Sequence, residues 1–158
     1  MAELKDRLRT DLATAIKARG ATTVATLRMA LAAISNEEVS GSSSRELTDD
    51  EVLEVLGREA KKRREAAEAY DGAGRTELAA QERAEGDVLA GYLPAQLADD
   101  ELAGLVDDAV AEVTAALGEP PGPRQMGRVM KAATAKVGRR AEGGRVATAV
   151  RTALAGQG

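Results

Sequence analysis

At 158 residues the chain suffices for one ordinary domain or two small ones, and with 44% hydrophobic but 1% aromatic content its core must be built from Leu, Val, Ala, Met and Ile. It contains no Cys, His, Trp or Phe, which excludes disulfides, thiol nucleophiles, histidine general bases and the usual zinc sites. The net charge is −4, yet Gln96 to Pro123 holds seven acids and no base, while Arg124 to the end holds eight bases against one acid, a net of +7. That positive tail is a candidate polyanion site. No apolar run approaches the roughly 20 residues of a membrane helix, and the N-terminus lacks a signal-peptide core, so a cytoplasmic protein with no membrane partner is expected.

Leu4, Leu8, Leu12 and Ile16 recur four apart and predict an amphipathic helix over 3–18 that Gly20 ends. Val24, Leu27, Leu31 and Ile34 predict a second over 23–39, with Thr22 or Thr23 as N-cap, packed on the first as a hairpin. Ser40 to Ser44 form a polar linker. Thr48 stands three before Glu51, a capping box that opens a long helix to about Tyr70 whose inner line is Leu53, Leu56, Ala60, Ala67 and Tyr70, interrupted at Arg63. Asp71 to Gly74 make a turn, and a fourth helix over 75–92 puts Leu78, Leu89 and Tyr92 on its inner side.

Pro94 stops that helix near Tyr92 or Leu93, because proline lacks a backbone N–H and drives its predecessor out of the helical region. Leu93 and Leu97 flank it in a connector that stays apolar. It is either a buried plug joining two bundles or a tight turn whose leucines finish one core. Asp99 to Glu101 then favour a helix start, and Leu102, Leu105, Val106, Ala109, Val110, Val113 and Leu117 give a continuous stripe. Pro120, Pro121, Gly122 and Pro123 separate it from a sixth helix over 124–137, closed by Gly138, and a seventh covers 144–155. No period-two stretch occurs. The expected fold is all-α: a four-helix part over 1–93, a connector over 94–98, and a three-helix part over 99–158.

At about 100° per residue, Met126, Val129, Met130, Ala133 and Val137 share one face of the sixth helix and Arg124, Arg128 and Lys131 the opposite one. Lys136, Arg139, Arg140 and Arg145 extend the cationic set, and arginine suits phosphate geometry. The alternative is a solvated face paired with the acidic fifth helix. Tyr70 and Tyr92 are the two aromatics, so any RNA contact would engage backbone and shape. Lys61 to Arg64 are explained by pairing four apart with Glu59, Glu65 and Glu68. Asp107, Asp108 and Glu112 lack a calcium-loop pattern, and no nucleophile elbow or glycine-rich phosphate loop exists. No catalytic residue, metal site or cofactor is expected.

Arg28 and Met29, the basic helix from Arg58 to Tyr70, and above all Tyr92, Leu93, Pro94, Gln96 and Leu97 occur in an order that resembles the GatB/YqeY family in its stand-alone YqeY-like form. Met126, Gly127, Val129, Met130 and Lys131, then Gly138, Ala141, Gly143 and Val146, continue the likeness through the tail. The resemblance implies two helical bundles, the second similar to the tail of the GatB amidotransferase subunit, which is implicated in holding tRNA. It also implies the family label of carbon–nitrogen ligase with glutamine as amido donor, for which this chain shows no catalytic constellation. Glu142 stands where the family commonly has Asp, a poorer N-cap that should let the last helix fray at its start. The expected function is an accessory that binds tRNA or a tRNA–enzyme complex; the alternative is a helical module docking on an acidic or helical partner protein.

Overall fold

The computed structural model describes residues 3–156, and every regular element among them is helical. The chain divides into two compact units, Met1–Leu93 and Pro94–Gly158. The first contains α1 (Glu3–Lys17), α2 (Ala21–Glu38), α3 (Asp49–Gly72) and α4 (Thr76–Ala90), with α1 packed on α2 and α3 on α4. The second contains α5 (Asp99–Leu117), a single 3₁₀ turn (Pro123–Gln125), α6 (Met126–Val137) and α7 (Gly143–Ala155), each helix packed on the other two.

The core of the first unit gathers Leu8, Leu27, Ile34, Leu47, Val52, Leu56 and Leu89, all essentially buried. Burying one such side chain contributes about 2 kcal/mol. Ile16, expected inside, is 47% exposed, and Ala15 is buried in its place. A four-residue step turns about 400°, so a line of fours drifts about 40° each time, while Ala15 returns to within about 20° of Leu4. The inner line of α3 is likewise displaced, to Val52, Val55, Leu56, Glu59 and Ala67. Leu78 is 42% exposed, and Ala79 takes its inner place.

Three boundaries differ from expectation. Gly20 has φ −79° and caps α2 without a side-chain bond, so neither Thr22 nor Thr23 is the N-cap; the left-handed residue that ends α1 is Arg19, at φ 57°. That conformation presses Cβ against the following carbonyl. Arg19→Gly is expected to raise the stability of the first unit by about 0.5 kcal/mol, the relief of strain exceeding the entropy glycine adds to the unfolded chain. Urea unfolding followed by tyrosine fluorescence checks it, because Tyr70 and Tyr92 both lie in this unit. Third, α4 stops at Ala90, and the Tyr92 and Leu93 amides donate to the Leu89 and Ala90 carbonyls in a tighter turn before Pro94.

The Thr48 capping box forms as expected, with the Glu51 amide donating to Thr48 Oγ1 at 3.2 Å and the Thr48 amide to Glu51 Oε1 at 3.4 Å. Arg45 donates to both Glu51 oxygens and brings that carboxyl down to about 2. In the second unit the expected stripes of α5 and α6 face inward: Leu102, Val106, Ala109, Val110 and Val113 meet Val129, Ala133 and Val137, with Met126 and Met130 packed at the edge. At α5 only the reciprocal half of a capping box exists, the Ala98 amide donating to Glu101 Oε1 at 3.1 Å, since alanine has no acceptor to return.

Candidate nucleic-acid interface

The basic residues of the tail fall into distinct environments, set by how residues 94–99 attach to the turn between α6 and α7. The Leu97 amide donates to the Arg140 carbonyl at 2.7 Å, and Gln96 Nε2 donates to the Arg139 and Pro94 carbonyls at 3.1 and 3.0 Å. Arg145, half-buried, donates through Nη2 to the Leu97 carbonyl at 2.8 Å and to Asp99 Oδ1 at 2.9 Å. Arg140, just past the end of α6, turns back onto that helix, its guanidinium donating to the Lys136 and Val137 carbonyls at 2.7 and 3.2 Å. Those carbonyls have no partner within the helix, so Arg140 acts as a C-terminal cap. The reversal needs Gly138, whose φ 60° and ψ −131° lie where essentially only glycine is accommodated. At the start of α7 the Glu142 side chain makes no capping bond, in keeping with its length.

Lys136 pairs across to Glu112 of α5 at 3.0 Å, so the acidic fifth helix does neutralise part of the sixth. Arg124, on the 3₁₀ turn, and Arg128 and Lys131, on the outer side of α6, are exposed and enter no ion pair among the described residues. Their four-then-three spacing puts them along one line, and seven residues span about 10 Å of helix axis. Gly127, between them, has open space where a Cβ would stand. This line is a short, solvent-facing row of cations with its methionines turned inward. Arg151, exposed on α7 and likewise without an ion pair among the described residues, was not singled out by spacing, because α7 carries no second outward base in line with it.

The motif residues at the boundary serve their own units. Leu93 packs on the first core and Leu97 lies in the second. The Tyr92 hydroxyl donates to Asp11, and the Arg7 guanidinium lies 4.7 Å from the centroid of its ring. Burial first, then the negative Asp11, pushes the phenol well above its ordinary range, so Tyr92 holds its proton and is engaged on both ring face and hydroxyl.

Arg63 explains the interruption in α3. It is four-fifths buried against α4, with its terminal nitrogens 3.3 Å from Glu59 Oε2 and 3.6 Å from Glu82 and Glu85. Glu59 is 7% exposed, and Arg63 Nε and Glu82 Oε2 are buried without a hydrogen bond. One guanidinium shared by three carboxylates joins the two helices. The outward pairs Lys61–Glu65 and Arg64–Glu68 form at 3.8 and 4.0 Å, as spacing predicts. No group of three or more acids among the described residues is arranged to hold a metal ion, and no helix among them is long and apolar enough to cross a membrane.

No curated protein matches the chain. The family model described as YqeY, Yqey-like protein, matches residues 5–154, which takes in the seven α-helices of the described residues almost end to end. The chain therefore belongs to the YqeY-like protein family.

Proposed function

We propose that the protein is an accessory that holds tRNA, alone or within a tRNA–enzyme complex, through the outer face of α6 and without an active site of its own. The observation that carries this is the row Arg124, Arg128 and Lys131: exposed, aligned, and without an ion pair among the described residues, while neighbouring bases are committed to internal bonds. The likeness of the tail to that of the GatB subunit agrees with it. Lys136, Arg140 and Arg145 then serve to shape the unit, and contact falls to the three cations of that row.

Three phosphate contacts give a logarithmic salt slope of about −3. A salt series of tRNA binding to the full chain is expected to show that slope, and changing Arg124, Arg128 and Lys131 together to Glu is expected to weaken binding at least about tenfold at low salt. Absence of binding at low salt overturns the proposal. If a protein partner is nevertheless retained from nuclease-treated extract, a helical docking module replaces it.

A further inference from the structure

We infer that the α6 face selects paired RNA stems over single strands and does so without regard to stem sequence; this rests on the RNA-binding function proposed above. The second unit contains no aromatic residue, since Tyr70 and Tyr92 both lie in the first, where Tyr92 is engaged by Arg7 and Asp11. A flexible single strand must be ordered to bind, and proteins that do so offset this by stacking each base on an aromatic ring, at about 1–3 kcal/mol per base. Nothing on this face supplies that.

A stem arrives with its phosphates already fixed and at higher charge density, and duplex DNA, the measured case, releases about 0.9 counterions per contact against about 0.7 for a single strand. Three long cations, Arg124 on the 3₁₀ turn and Arg128 and Lys131 on the α6 helix it leads into, can over about 10 Å meet such phosphates together. They cannot extract sequence. The base edges an arginine reads lie in the major groove, which is deep and narrow in RNA. Exposed Asp107 and Asp108 on α5 repel phosphate and restrict contact to the α6 side.

The test compares the full chain with an RNA hairpin, a second hairpin of scrambled stem sequence, and an oligouridylate of equal length at one low salt concentration. The two hairpins are expected to bind within about twofold of each other and the oligouridylate about fivefold or more weakly. An oligouridylate that binds as tightly, with binding lost in the R124E/R128E/K131E variant, overturns the preference and leaves RNA binding standing. A stem-sequence effect above about tenfold overturns the sequence indifference. Failure of all three RNAs to bind overturns the underlying function as well.

Discussion

Truncating either Lys5 or Glu38 to alanine is expected to lower the stability of the first unit by about 3 kcal/mol. Lys5 is 7% exposed and its Nζ lies 2.7 Å from Glu38 Oε1. The second Glu38 oxygen accepts the Leu47 amide at 3.2 Å, and Leu47 is buried in the core. One carboxylate thus joins α1, the end of α2 and the far side of the serine linker. Removing one partner leaves the other charge desolvated and unpaired, whereas replacing both with methionine is expected to cost about 1 kcal/mol, chiefly the orphaned Leu47 amide. Urea unfolding read by tyrosine fluorescence resolves these values, and a double-variant loss as large as the sum of the two single losses would show that the pair is not coupled.

The Lys5 hydrogen bond, then the Leu47 amide, hold the Glu38 carboxyl below its ordinary 4.5 against the opposing effect of burial. A carboxyl depressed on folding contributes stability above its unfolded value, and that contribution is lost as pH falls through the folded one. The first unit should therefore weaken below about pH 4.5, and less steeply in Glu38→Gln, which has no proton to take up.

Arg145→Ala is expected to destabilise the second unit by about 2 kcal/mol, the scale of a hydrogen bond from a charged donor. The bond to the Leu97 carbonyl is part-buried and carries most of this. The Asp99 side chain is 99% exposed, so that ion pair adds little. Loss of Arg145 leaves a carbonyl beside buried Leu97 without a partner at the point where the chain enters α5. Tyrosine emission is blind to this unit, so the loss should appear in urea unfolding by far-ultraviolet circular dichroism and be absent from fluorescence. A fluorescence shift of similar size would contradict the assignment.

Wherever a run of apolar residues matches the helical period, the elements are legible: the stripes of α5 and α6 and the Thr48 box stand as spacing predicts, while the break before Pro94 comes at Ala90, earlier than the Tyr92 or Leu93 that the proline suggests. The misses have common physical causes. A period of four places Ile16 inside but drifts, and hydrophobicity alone places Leu78 inside although it lies near the start of its helix. Arg19 carries no signal in the sequence because glycine is the usual left-handed residue. Partners distant in sequence were not legible: Lys5 and Glu38 are 33 residues apart, and Arg145 is 48 from Leu97. The same limit applies to the cationic tail. Charge counting lists eight bases as equivalent, and only contacts made after folding separate Arg140 and Arg145, which bond backbone carbonyls, from Arg128 and Lys131, which face water.

That separation is tested most directly by measuring tRNA affinity for two variants under native conditions at low salt, each first shown to be folded by circular dichroism. Arg145→Ala is expected to bind within about threefold of wild type, and the R124E/R128E/K131E variant at least about tenfold more weakly. A folded Arg145→Ala protein that no longer binds, or a triple variant that binds as wild type does, would contradict the assignment of the interface to the outer face of α6.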